Sequence, residues 1–88
     1  MTVLAGRVVS IGETMGAIYL NLGKNRGRDA AAVISRKNMP IFLAQGWILR
    51  SLLGRRIRVR GLIETNNGPR IEISSPAEIE LLGDTPEN

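Results

Sequence analysis

GRRIRVRGLIETNNGPRIEISSPAEIELL, residues 54–82, carries two strand signals joined by a turn signal. Side chains of a strand alternate between its two faces. Arg56, Arg58 and Arg60 therefore point one way, and Ile57, Val59, Gly61 and Ile63 point the other. A strand that is basic on one side and apolar on the other lies on the wall of a small core. Asn67-Gly68 predicts a tight hairpin turn, because both residues tolerate the positive φ that such turns require. The return strand places Arg70 and Glu72 across from the arginines, so one arginine is expected to pair with Glu72.

Upstream, the chain reads as three more strands and a helical segment. Val3–Ile11 is the first strand, with Gly6 expected to form a bulge or bend. Gly12 to Gly16 is a turn. Ala17–Leu22 is the second strand, with Ile18, Leu20 and Leu22 inward and Tyr19 and Asn21 outward. Gly23–Arg28 is a basic loop bracketed by glycines. Asp29–Ser35 is the third strand, with Ala30, Ala32 and Ile34 inward. Its alanines favour helix and make this strand signal the weakest.

Asn38 then reads as a helix cap with Pro40 in the first turn. The helix runs from Ile41 to Gln45, Gly46 caps it, and a second turn spans Trp47 to Leu53. Phe42, Trp47, Leu49 and Leu52 are expected to close one end of the core. Gly54 stops the segment. After the fifth strand and Ser75-Pro76, Ala77–Leu82 forms a short closing stretch. The order β-β-β-α-β-β predicts an all-β fold with a small α component, namely a five-stranded OB-fold barrel over residues 1–82. Residues 83–88 form a polar tail.

Eighty-eight residues make one domain with a small core. The chain has no cysteine, hence no disulfide and no indication of redox compartment. It has no histidine, which removes the commonest general base and metal ligand. No apolar run reaches the ~20 residues of a membrane helix, and no signal peptide is recognisable. Charge is uneven: residues 1–73 sum to +8, and residues 74–88 to −4. Ten of the twelve bases are arginine, whose planar fork of donors suits phosphate. A basic body points to a polyanionic partner or to a merely soluble surface.

Three groups are candidates for binding. Lys24, Arg26 and Arg28 lie in the loop between strands two and three, beside the surface that OB-folds use for ligands; otherwise they form a solvated hairpin tip. Lys24 is followed by Asn25, so this is no phosphate-binding P-loop. Tyr19 would stack on a base and Asn21 would hydrogen-bond to it, or both simply cover the sheet. Arg36 and Lys37 flank them. The Arg56, Arg58, Arg60 stripe reads as a solvated, partly paired wall that discourages edge-to-edge association. Catalysis has little material: Glu13, Asp29, Glu64 and Glu72 are scattered, and no histidine is present to activate a serine. No cofactor, metal site or enzymatic activity is expected.

The blocks GRVVSIGET (6–14), AIYLNLG (17–23), GRRIRVRGLIE (54–64) and NGPRIEISSPAEIELL (67–82) resemble OB-fold domains of bacterial nucleic-acid-binding proteins and of staphylococcal-nuclease-like proteins. The resemblance spans about residues 3–82. Nuclease members carry an Asp-Gly-Asp-Thr-like metal segment, whereas Gly12-Glu13-Thr14-Met15-Gly16 stands here with one acid. No catalytic residue carries over. The resemblance implies a non-catalytic relative, or an accessory domain of a larger nuclease-like protein. The expected function is binding of single-stranded nucleic acid with low sequence preference. The alternative is a structural or protein-interaction domain, meeting another domain or a second copy over a patch centred on Met15, Tyr19 and Val33.

Overall fold

The computed structural model describes residues 1–23, 29–65 and 68–83. The expected basic loop residues Lys24, Arg26 and Arg28, the turn residue Asn67 and most of the tail lie outside them. The described chain is mostly β, with strands β1 (Thr2–Arg7), β2 (Ser10–Glu13), β3 (Ala17–Asn21), β4 (Ala31–Ser35), β5 (Arg56–Gly61), β6 (Ile63–Glu64), β7 (Arg70–Glu72) and β8 (Ile79–Leu81). Between β4 and β5 come a 3₁₀ turn (Arg36–Asn38), the helix α1 (Met39–Ala44) and a second 3₁₀ turn (Leu49–Leu52). A third, Pro76–Glu78, precedes β8.

The strands form two open sheets rather than one continuous closed ladder, in the orders β1-β5-β8 and β2-β3-β4-β7-β6. Three segments cross from one sheet to the other, and the first two crossings interrupt strands expected to be continuous. Val8 N–H donates to Arg55 C=O, while the next residue, Val9, donates to Asn21 C=O. The first expected strand thus changes partner at Val8–Val9. Gly6, expected to mark the irregularity, pairs regularly with Ile57. Its missing side chain instead allows close approach to Leu22, whose Cβ would stand 3.4 Å from an added Cβ.

The fourth expected strand changes partner at Leu62. Gly61 pairs with Thr2 on β1, and Ile63 pairs with Ile71 on β7. Ile63 is therefore 39% exposed instead of inward, because the break resets the alternation. The same break corrects the expected Arg–Glu72 pair. Arg56 to Arg60 lie between β1 and β8, and Arg58 bonds to Glu80 of β8 at 2.7 and 3.1 Å. Across the hairpin Glu64 pairs with Arg70, and Asn67 of the expected turn lies outside the described residues. Finally, Ile73 N–H still bonds to Val33 C=O in one sheet, whereas Ile79 pairs with Val59 in the other.

The core lies between the sheets. Ile57, Val59 and Ile79 come from one; Ile18, Leu20, Ala32, Ile34 and Ile71 come from the other. Phe42, Leu49 and Leu52 pack on this cluster from the helical segment, with Trp47 half-buried and edge-on to Phe42 at 6.4 Å between ring centroids. Asn38 makes no side-chain cap bond. The 3₁₀ turn before it runs directly into α1, so Asn38 already has helical dihedrals and cannot take the extended cap geometry. Gly46 and Gly54, at φ +85° and +83°, end the helix and the second turn in a region that side chains disfavour.

Candidate nucleic-acid interface

The alternation of β3 buries Ile18 and Leu20 and leaves Tyr19 and Asn21 half-buried on the outer face. The register extends this face across neighbouring strands. Tyr19 lies between Gly12 on β2 and Val33 on β4, and Val33 lies beside Glu72 on β7. One row along, Asn21 is flanked by Ser10 and Ala31, and Ala31 is followed by Arg70 and then Glu64. Asn21 Nδ2 donates to Ser10 Oγ at 3.1 Å. Its amide is thereby held in place, with the carbonyl oxygen left as an acceptor.

Arg70 was not among the residues anticipated for binding. Its guanidinium carbon lies 5.2 Å from the centroid of the Tyr19 ring. Ala31 stands between Arg70 and Asn21 in the register, and its single methyl leaves space for the arginine to cross β4. A cation over a tyrosine face is attracted by the ring quadrupole, with roughly 0.5–1 kcal/mol at exposed sites. The Arg70 side chain is half-buried and, among the described residues, makes no ion pair or side-chain hydrogen bond. Sequence reasoning placed Arg70 opposite the arginine stripe. Finding it beside Tyr19 requires the parallel pairing of β4 with β7, which no local pattern encodes.

The remaining candidates sit elsewhere on the sheet. Arg36 and Lys37 follow Ser35, which pairs with Ala17, at the opposite end of β3 from Asn21. Four residue steps separate the two ends, about 13 Å at strand rise. Arg36 is also occupied: its Nε donates to Thr14 C=O at 3.0 Å, and its Nη2 lies 3.4 Å from Glu13 Oε1. Lys37 is exposed. Tyr19, Asn21 and Arg70 are thus brought together, while Arg36 and Lys37 stand apart from them. Tyr19 does meet Val33 across β3 and β4, whereas Met15 projects from the turn after β2, 97% exposed.

Electrostatically, the described part of this face sets Arg70 against Glu64 and Glu72. The excess positive charge that would draw in a polyanion belongs to residues 24–28, which carry three bases in the sequence. The outer wall of the other sheet carries Arg56, Arg58 and Arg60, where Arg58 pairs with Glu80 and Arg60 donates to Ala77 C=O at 3.1 Å. Among the described residues no three aspartate, glutamate, histidine or cysteine side chains gather into a cation-binding group. Comparison with models of known protein families and with curated proteins finds no match.

Proposed function

We propose that the chain is a non-catalytic, OB-type domain that binds single-stranded nucleic acid with low sequence preference. Support for the OB-type arrangement comes from the pairing sequence. Taking β1 with β2 and β5 with β6 as two bent strands, each shares pairing with both sheets, and β4 runs parallel to β7 between them. The single observation that carries the binding role is Arg70 over Tyr19 on an open sheet face. A ring able to stack on a base and a guanidinium able to meet a phosphate stand side by side. Lys24, Arg26 and Arg28, at the Asn21 end of β3 by sequence, would neutralise further phosphates, and Asn21 would accept a hydrogen bond from a base. In keeping with the nuclease-like resemblance, the domain would be a relative without the catalytic groups.

The test is fluorescence anisotropy with labelled single- and double-stranded DNA and RNA over a salt series. Three to five neutralised phosphates give a log–log slope of about −2 to −3.5 on single strands. Arg70→Ala should flatten the slope by about 0.7, one phosphate's worth. Tyr19→Ala should cost roughly 1–3 kcal/mol with the slope unchanged, since stacking releases few ions. Joint replacement of Lys24, Arg26 and Arg28 by Ala should weaken all sequences alike, because phosphate contacts carry no base information. Absence of binding at low salt would remove the nucleic-acid role and leave that of a protein-interaction domain.

A further inference from the structure

Residues 39–53, MPIFLAQGWILRSLL, hold a single charged side chain, Arg50. The helix α1 at their start is apolar all round, yet only Phe42 on it is buried. An apolar helix of this kind is ordinarily enclosed on every side. Here Leu43 is 61% exposed and Ile48, which follows the helix, is 68% exposed. Both line a groove of about 300 Å³ with Ile11 and Met39. Ile48 also borders a second hollow of about 300 Å³ beside Trp47 and Leu81. The result is an aliphatic ridge between two depressions, which is a shape for receiving side chains rather than a flat surface.

The rim of the first groove is polar in a specific way. Glu13, at the end of β2, lies between two guanidinium groups, with Oε1 3.4 Å from Arg36 Nη2 and Oε2 2.5 Å from Arg50 Nη2. One carboxylate thus fixes two cations and leaves the rim net positive. The Arg50 side chain is still 80% exposed, so its remaining donors are open. Arginine donors beside aliphatic hollows match a carboxylate placed next to apolar anchors.

We propose that this groove docks an acidic segment of another protein, with aliphatic or aromatic residues entering the hollows and an Asp or Glu meeting Arg50. Charge favours this occupant over a two-fold pairing of the groove with the same groove of a second copy, which would bring arginine against arginine. The groove is lined by Ile11 and Ile18 of the sheet, and Tyr19 lies on the face opposite Ile18, so docking is independent of the nucleic-acid role.

A phage-displayed library of random twelve-residue peptides, panned on the purified chain, tests the assignment. The enriched peptides, labelled and titrated by anisotropy, are expected to combine apolar residues with Asp or Glu. Ile48→Glu and Leu43→Gln should each weaken them by about tenfold or more, as for loss of an anchor contact. Arg50→Glu should weaken them too, and Tyr19→Ala should leave them unchanged. Both apolar positions are solvent-facing, and circular dichroism of the variants confirms that they fold. The assignment is overturned by a library that yields no binder, by enriched peptides without acids, or by binding indifferent to Ile48→Glu. It is equally overturned if Ile48→Glu abolishes adsorption to phosphatidylserine vesicles, or dissolves a dimer seen in sedimentation, while no acidic peptide binds.

Discussion

Gly61→Ala probes the point where the chain leaves one sheet for the other. Gly61 is buried at the end of β5, immediately before the break at Leu62. A Cβ at this position would lie 2.8 Å from Ile71 Cγ2 and 3.4 Å from Glu72 C=O. Cγ2 is attached directly to a β-branched carbon, and Ile71 is fully buried on β7, so the methyl cannot swing aside. Overpacking of this kind costs typically about 1–3 kcal/mol. The lower entropy of the unfolded alanine chain offsets about 0.4–1 kcal/mol. A net loss of about 1–2 kcal/mol remains, from a total expected at about 4–13 kcal/mol for 88 residues. In a domain of this size it lowers Tm by about 5–15 °C. Thermal and urea melts followed by circular dichroism read the loss. Ile71→Ala removes the offending methyl, so the double variant should lose about 1–2 kcal/mol less than the sum of the two single losses. An unchanged or raised Tm for Gly61→Ala, or strict additivity in the cycle, would refute the close approach of β5 to β7.

Phe42→Ala should cost about 3–5 kcal/mol, because it empties the centre of the helical plug; a urea melt should show a large drop in midpoint, with near-UV signal from Trp47 lost first. The Arg58–Glu80 pair is about half exposed on both sides, so a double-mutant cycle should return a coupling of about 0–1 kcal/mol that vanishes in high salt. A coupling well above that range would mean that the arginine wall is less solvated than its exposure indicates.

The two proposed surfaces use different chemistry at different places. Tyr19 and Arg70 stand on an outer sheet face, where a flat ring and a planar cation suit bases and phosphates. Leu43 and Ile48 stand at the helical end, where aliphatic hollows and a bridged carboxylate suit a protein segment. Because no described side chain belongs to both, single substitutions separate one role from the other.

Local pattern alone determined that residues 56–61 alternate basic and apolar, that Ile18 and Leu20 face inward, and that Gly46 and Gly54 end helical turns. These properties follow from strand periodicity and from the dihedral freedom of glycine, both of which act over a few residues. The tertiary structure decided who pairs with whom. Strand periodicity is identical whichever partner lies alongside, so nothing local told Arg58 that its neighbour is Glu80 rather than Glu72. The partner changes at Val8–Val9 and Leu62 come from two sheets that must both pack on one small core. Likewise Arg70 meets Tyr19 only because β7 runs parallel to β4 at a register that sets Arg70 beside Ala31, one row along from Tyr19. The exposure of Leu43 and Ile48 was invisible for the same reason: an apolar residue shows its preference for burial in the sequence, but only the packed chain reveals that nothing within the described residues covers it.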